Sequence, residues 1–254
     1  MNHLEIMKLI DDGANFYCRQ LGNASHMEFV QNECYSMIYP KQGQEGGTSL
    51  FDVKLDHLTE EDVLQMIHEI KSKNVHTWWG LCLSDRIADY VWGIDRPILT
   101  PEQHENDEEL YMALFPEEMS VYETYSNDIQ IKPVTTIEEF GVWADICNLV
   151  LHGDYPIMHR VNHFEICKNG IMPCYLGYYQ GEPVAVSAIL NHSNISSLEF
   201  VATLPEYRRK GLAKALCQKA VEDAFANGSS IITTRAFADA KNIYKSLGFQ
   251  CYYL

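Results

Sequence analysis

Apolar residues recur along the chain at two spacings, and these spacings predict alternating strands and helices. In the first half, a glycine-rich turn at residues 42–47 separates predicted strands around residues 34–39 and 50–54. Thr59, with Asp62 three residues later, predicts the capped start of a helix. That helix carries an apolar stripe, and a further strand is predicted after it at residues 75–83; the stripe consists of Val63, Met66, Ile67 and Ile70. The order strand, helix, strand indicates an α/β layer.

The second half gives a more regular pattern. Strands are predicted at residues 129–133, 174–179, 183–190, 196–202, 230–235 and 249–253, and helices at residues 136–151, 211–226 and 239–247. One face of the second helix is apolar, with Leu212, Leu216, Ala220 and Ala224. An acidic segment at residues 102–109 predicts a solvated loop or helix start before a junction near residues 117–127. The chain is therefore predicted to form two α/β domains, residues 1–125 and 128–254.

Composition narrows the classes of function. The formal net charge is -16, which argues against nucleic acid as the main partner and would help to attract a cationic amine, or would serve solubility alone. No apolar run is long enough for a membrane helix, and no secretory signal is evident. The eight cysteines are scattered without a C-x-x-C pair. They are interpreted as reduced thiols, and we expect a cytoplasmic location.

One stretch carries recognisable chemistry. The strand predicted at residues 196–202 leads through Leu204-Pro205 into the basic turn Arg208-Arg209-Lys210-Gly211, and that turn opens an apolar helix. Backbone N–H groups at a helix start, together with the partial positive charge of the helix dipole, form an anion site. Glycine in the turn lets a phosphate approach the backbone closely.

At these residues the sequence resembles the GNAT acyltransferase superfamily, whose signature is Gln/Arg-x-x-Gly-x-Gly/Ala. Arg208, Gly211 and Ala213 fill the three signature positions, and Pro205-Glu206-Tyr207 before them is also typical. About thirty residues later, residues 240–249 are similar to the family's Ala-x-x-x-Tyr-x-x-Leu-Gly-Phe ending. The resemblance covers roughly residues 128–254. It implies a mixed β-sheet flanked by helices.

The resemblance also implies an activity and a set of site residues. The expected reaction is the transfer of an acyl group from acetyl-CoA or another acyl-CoA to a primary amine, which attacks the thioester directly. The amine belongs to a small molecule or a peptide. Tyr244 matches the tyrosine that protonates the leaving thiolate, Glu199 is the candidate base, and the Val201 N–H would polarise the thioester carbonyl. The expected cofactor-binding residues are Val201, Ala202, Thr203, Arg208, Arg209, Lys210, Gly211, Leu212, Ala213 and Lys214.

Two features of the chain qualify the resemblance. The family often has a cofactor-contacting asparagine seven residues before the tyrosine, where this chain has Phe237; Asn242 is near but not at the matching position. The first half lacks the phosphate turn, yet its order of elements resembles half of the same fold. A tandem layout with a degenerate first copy, similar to glycine N-acyltransferase-like proteins, is therefore predicted.

Several alternatives remain open at this point. His159, His163 and Cys167 share one helical face and could ligate a metal, although no second ligand cluster accompanies them. The same histidines, with His152, Asp154 and Tyr155, could instead contact the acceptor. Tryptophans at positions 78, 79 and 92 could line a pocket or pack in a core. A non-catalytic CoA-binding or sensor module is the main alternative function, and an interaction protein is a third. The sequence does not identify the acceptor or the oligomeric state.

Overall fold

A computed structural model describes residues 1–44, 49–52, 109–120, 125–153, 158–237 and 240–252, with a few single positions between 59 and 68. Three groups of sequence predictions lie outside the described residues. The first is the apolar stripe Val63, Met66, Ile67 and Ile70 with the strand predicted at residues 75–83. The second is Trp78, Trp79 and Trp92. The third is the part of the acidic segment before Glu109. The element labels below number the described helices and strands in chain order.

In the first part of the chain, the structure describes the bounds of one long helix and four strands. Helix α1 is His3–Gly22, and the strands are β1 Met27–Gln31, β2 Ser36–Pro40, β3 Ser49–Phe51 and β4 Glu109–Leu114. Asn2 and Glu5 form a reciprocal capping box that fixes the start of α1. Neither α1, β1 nor β4 is among the elements predicted from the sequence.

The second part follows the predicted order of elements closely. Its strands are β5 Ile129–Pro133, β6 Cys174–Tyr179, β7 Glu182–His192, β8 Ile195–Thr203, β9 Ile231–Phe237 and β10 Gln250–Tyr252. Its helices are α2 Ile137–Cys147, α3 Arg160–Lys168, α4 Leu212–Ala226 and α5 Lys241–Leu247. The helix predicted at residues 136–151 is α-helical to Cys147 and continues as a π-helical turn, Asn148–His152.

The predicted capping box at Thr59, in the first part of the chain, is confirmed, because Thr59 and Asp62 exchange hydrogen bonds.

The described strands form two sheets. A three-stranded antiparallel sheet has the order β1-β2-β3, and a seven-stranded sheet has the order β10-β4-β9-β8-β7-β6-β5. Every neighbouring pair in the larger sheet is antiparallel except β8 and β9, which are parallel. The prediction of a mixed sheet flanked by helices is therefore confirmed.

Helices cover both faces of the seven-stranded sheet. Helices α4 and α5 pack on one face, and the predicted apolar stripe of α4 is buried there as expected, with Leu212, Leu216, Ala220 and Ala224 each at most 1% exposed. Helices α1, α2 and α3 lie on the opposite face. Among the described residues, no helix is long and apolar enough to cross a membrane.

The amino-terminal region shares a core with the rest of the chain. Cys18 and Leu21 of α1, and Phe51 of β3, belong to one buried cluster with Trp143 and Phe140 of α2. The seven-stranded sheet also takes its β4 from residues before the predicted junction. The proposed division into residues 1–125 and 128–254, with a degenerate first copy, remains a prediction.

Candidate functional site

The seven-stranded sheet opens between its two parallel strands. Strand β8 pairs with β9 only from Ile195 to Ser197, although β8 itself continues to Thr203. On its other side, β8 stays paired with β7 as far as Thr203. Beyond Leu198, whose carbonyl oxygen accepts a hydrogen bond from Thr234 Oγ1, the β9 side of β8 is therefore open to a ligand that can pair with a strand edge.

A β-bulge lies at the start of this opening. Glu199 is opposite Ala188 and Ala202 is opposite Val186, so two residues of β8 face a single residue of β7. Phe200, one of these two, has a φ of 53°. A bulge leaves one residue out of the regular ladder and re-aims its neighbours, and this bulge includes Val201, whose N–H was expected to polarise a carbonyl.

The basic turn lies at the end of β8. Residues Pro205–Tyr207 form one turn of 3-10 helix, Arg209 has a φ of 62°, and Gly211 has a φ of 91° at the N-cap of α4. Glycine is needed here because of this positive φ and not for lack of space. An added Cβ would meet only Ile129 Cδ1, at 3.8 Å, which is an ordinary contact. No side chain among the described residues caps α4, so its first N–H groups remain available to an anion.

The basic side chains of the turn have different surroundings. Arg208 Nε donates to the carbonyl oxygen of Thr203 at 3.2 Å, so this side chain ties the turn to the end of β8. Lys210 Nζ lies 4.5 Å from the ring centroid of Tyr179. Arg209 and Lys210 are exposed, whereas Lys214 is half-buried. The cofactor-binding residues expected from the sequence thus lie together at the end of β8 and the start of α4, although the side chains of Ala202 and Leu212 are buried in the core.

Tyr244 reaches the opening from α5. Its side chain is 5% exposed, and its hydroxyl hydrogen-bonds to Thr234 of β9. Thr234 Oγ1 in turn donates to the carbonyl oxygen of Leu198 at 2.9 Å, across the first diverging residues of the two strands. Burial raises the pKa of Tyr244 well above 10.0, and the charges of Cys217 and Glu199 raise it further. The phenol therefore keeps its proton at neutral pH.

Glu199 acts electrostatically on tyrosines from both sides of the sheet. Its carboxylate accepts a hydrogen bond from Ser197 Oγ, and the side chain is half-buried. Its charge raises the pKa of Tyr244 on the α5 side and also that of Tyr17, from α1, on the opposite side. The two candidate catalytic residues, on elements distant in sequence, are thereby brought to one opening.

Three of the predicted acceptor contacts lie on one side of the sheet. His159 and His163 are one turn apart at the start of α3, with ring centroids 6.3 Å apart, and His152 ends the π-helical turn. His152 and His159 both act electrostatically on His163, which is 1% exposed. Asp154 and Tyr155 lie outside the described residues. In the described part of the chain, no group of three or more His, Cys, Asp or Glu residues could hold a metal ion.

The position of the family's cofactor-contacting asparagine is occupied by Phe237 in this chain. Phe237 ends β9, where its backbone is opposite Glu109 of β4. Asn242 is exposed on α5. Neither position supplies evidence for an asparagine contact to a cofactor.

The comparison with known families matches the part of the chain that holds these features. Residues 142–249 match the acetyltransferase (GNAT) family. This segment is therefore similar to a GNAT acetyltransferase domain. The matched segment begins in α2 and ends at Phe249, so it includes the strand opening, the basic turn and Tyr244.

Two solved structures extend the similarity of fold beyond the GNAT segment. A GCN5-related N-acetyltransferase from Kribbella flavida aligns with a TM-score of 0.63 at 15% identity, covering 95% of this chain and 91% of that one. A GCN5-related N-acetyltransferase from Sphaerobacter thermophilus aligns with a TM-score of 0.59 at 10% identity, covering 98% of this chain and 89% of that one. Both alignments include the region before the GNAT segment.

His163 should make the stability of the GNAT segment sensitive to acid. Burial, followed by the charges of His159 and His152, lowers its pKa from 6.5 to about 4, against a raising hydrogen bond from His159. As the pH falls below 6.5, the unfolded chain binds a proton that the folded chain does not bind until about pH 4. Stability is therefore lost over that window, by about 3 kcal/mol at its end.

Urea unfolding at several pH values between 7 and 4 would measure this loss. The His163→Leu variant should lose less stability over the window than the wild type, because the other titrating groups are common to both proteins. Equal losses in the two proteins would contradict the assignment.

Proposed function

We propose that the chain transfers an acetyl or other short acyl group from acyl-CoA to a primary amine by direct attack. The observation that carries this proposal is the opening between β8 and β9, which has an uncapped basic helix start at one end and Tyr244 and Glu199 beside it. The match of residues 142–249 to the acetyltransferase family supports acyl transfer in general. The acceptor and the acyl chain belong to the proposal.

The residues at the turn suit the phosphates of an acyl-CoA. Backbone N–H groups at the start of α4 would bind a pyrophosphate, and Arg209, Lys210 and Lys214 would add positive charge around it. Arg208 would hold the turn in place through its bond to Thr203. Thr203 Oγ1 is buried without a hydrogen-bond partner among the described residues, and it is a candidate contact to the same ligand.

The open edge of β8 would bind the arm of the same ligand. Backbone groups of Val201, Ala202 and Thr203 would pair with the pantetheine amides as a strand pairs with a sheet edge. The ligand supplies the activated acyl thioester. A backbone N–H at the bulge, near Val201, would stabilise the negative charge that develops on the carbonyl oxygen during attack.

Two side chains would move the protons. Glu199 would accept a proton from the amine, directly or through water, and its charge would also attract the ammonium form. Tyr244 would donate its proton to the departing thiolate, which its raised pKa allows because the phenol is protonated at neutral pH. No enzyme nucleophile is needed, because the amine attacks the thioester itself.

We further propose a cytoplasmic location for this activity, and the cysteines support it. The seven cysteines within the described residues are free, and most are buried. Free thiols fit a reducing compartment such as the cytoplasm.

Calorimetric titration with acetyl-CoA and an assay of thiol release over a panel of primary amines would test the proposal. We expect micromolar binding and release that depends on the amine. Binding without release for any amine would favour the non-catalytic CoA-binding module, and absence of binding would contradict both functions.

A further inference from the structure

Helix α1 contributes to a cluster of side chains on the opposite side of the opening from Tyr244. We define the α1-side cluster as Tyr17, Trp143, His163, Glu199 and Phe200. The ring centroid of Tyr17 is 5.7 Å from that of Phe200 and 6.0 Å from that of His163, and Trp143 meets Phe200 edge-on at 5.9 Å. The members come from α1, α2, α3 and the bulge of β8.

Two polar atoms of the α1-side cluster are buried without a partner. Tyr17 Oη and His163 Nε2 have no hydrogen-bond partner among the residues that the structure describes. His163 is 1% exposed, and its Nδ1 is already engaged with the backbone of His159. Buried polar atoms are rarely left unpaired, so two together beside an open strand indicate a polar ligand or a bound water.

The α1-side cluster itself holds one carboxylate, and its two hydrogen-bonding rings are neutral at neutral pH. Burial raises the pKa of Tyr17 well above 10.0, and the charges of Cys18, Cys147 and Glu199 raise it further, so the phenol is neutral. The lowered pKa of His163 keeps that ring neutral as well. The charges that act on His163 are those of His159 and His152, and the charges that act on Tyr17 come from Glu199 and three cysteines. The cluster therefore offers one carboxylate and two neutral hydrogen-bonding groups.

We propose that Tyr17 and His163 bind the non-reacting part of the acceptor, and that this acceptor is a primary amine carrying a hydroxyl or amide group. The inference rests on the proposed function, whose acceptor class it specifies. The amine would face Glu199, and the hydroxyl or amide would face the two neutral rings. A hydroxyl or amide group can both donate and accept, so it satisfies Tyr17 Oη and also His163 Nε2 in either tautomer. A carboxylate would be repelled by Glu199.

The arrangement assigns a role to the amino-terminal helix. Glu199 acts on Tyr17 on one side of the sheet and on Tyr244 on the other. The acceptor would therefore approach from the α1 side, while the leaving thiol would be protonated from the α5 side. Tyr17 is a binding residue in this scheme and takes no part in proton transfer.

Calorimetry with the full chain, saturated with CoA, can separate the acceptor classes. The probes are butylamine, aminobutanol, aminobutanamide and aminobutanoate, which share one carbon chain. We expect aminobutanol and aminobutanamide to bind about tenfold more tightly than butylamine or aminobutanoate, the value of one or two good hydrogen bonds. Tyr17→Phe and His163→Phe should each remove most of that preference. Tyr178→Phe, on β6 beneath Lys132 and outside the cluster, should keep it.

A stability measurement distinguishes ligand binding from a structural role. Tyr17→Phe keeps the ring contacts and deletes a buried unpaired hydroxyl, so the ligand-free variant should melt about 2–4 °C above the wild type. A lower melting temperature would show that the hydroxyl is paired within the protein or with a bound water.

The outcomes also separate this inference from the function on which it rests. Unchanged amine preference in Tyr17→Phe, or tightest binding of butylamine or aminobutanoate to the wild type, would overturn the inference while acetyl-CoA binding stands. Failure of the wild type to bind acetyl-CoA would instead overturn the proposed function.

Discussion

Replacing Gly211 with valine should weaken acetyl-CoA binding by about 100-fold. The φ of Gly211 is 91°, a conformation that a β-branched residue avoids, so valine would force the turn into another shape. The first N–H groups of α4 would then point away from the pyrophosphate. Losing about two charge-assisted hydrogen bonds accounts for a change of this size. Calorimetric titration with acetyl-CoA measures it directly.

The opposite end of the same helix provides a matched control. Gly228 follows α4 with a φ of 96°, and an added Cβ there would meet nothing within 4 Å. Gly228→Val should therefore destabilise the fold by a similar amount, about 1–2 kcal/mol, without changing the affinity for acetyl-CoA. An equal loss of affinity in both variants would show that general destabilisation, and not the turn, is responsible.

A charge reversal tests the same turn without altering its glycine. Arg209 is exposed on the turn, so Arg209→Glu should leave the fold intact. The introduced carboxylate would repel the pyrophosphate, and we expect at least a tenfold loss of affinity that shrinks as salt is added. Wild-type affinity in both Gly211→Val and Arg209→Glu would place the phosphates elsewhere on the chain.

The local features of the carboxy-terminal half could be predicted because they depend on neighbours in sequence. The stripe of α4 repeats at helical spacing, and Gly248 ends α5 with a φ of 103°, so pattern and turn chemistry were sufficient. The basic turn was predictable for the same reason. Its residues are contiguous, and the helix that they open is strongly apolar on one face.

The contribution of the amino-terminal region could not be predicted in the same way. Tyr17 lies in a helix without any motif, and its place beside Phe200 depends on α1 packing across strands far away in sequence. Strand β4 was missed because its neighbours β9 and β10 come more than a hundred residues later. The bulge at Phe200 also depends on pairing with β7 and leaves no mark in the local pattern.

Arg208 makes a backbone contact that the sequence did not predict. The sequence grouped Arg208 with Arg209 and Lys210 as phosphate contacts, since all three are adjacent and basic. In the fold all three residues are exposed, and Arg208 Nε also donates a hydrogen bond to the carbonyl oxygen of Thr203. Charge and spacing predicted the site but not the separate task of each side chain.

Replacing Tyr244 with phenylalanine should lower kcat for acyl transfer by about 100-fold while leaving the affinity for acetyl-CoA within about twofold of the wild type. The substitution keeps the ring that packs against Phe249 and removes only the hydroxyl that would protonate the thiolate. Loss of a positioned general acid has an effect of this size. Steady-state kinetics and calorimetric titration together separate the change in turnover from any change in binding.

Tyr175 is the matched control for Tyr244, because it is also a buried tyrosine on the α4 side of the sheet. Its hydroxyl donates to Asp223 at 2.9 Å, away from the opening between β8 and β9. Tyr175→Phe should cost about 1–2 kcal/mol of stability and leave kcat unchanged. The pH profile adds an independent check: because burial, Cys217 and Glu199 hold the pKa of Tyr244 well above 10.0, wild-type kcat should not decline as the pH approaches 10. Unchanged turnover in Tyr244→Phe, or an equal fall in Tyr175→Phe, would assign the proton to another donor, such as water entering along the open edge of β8.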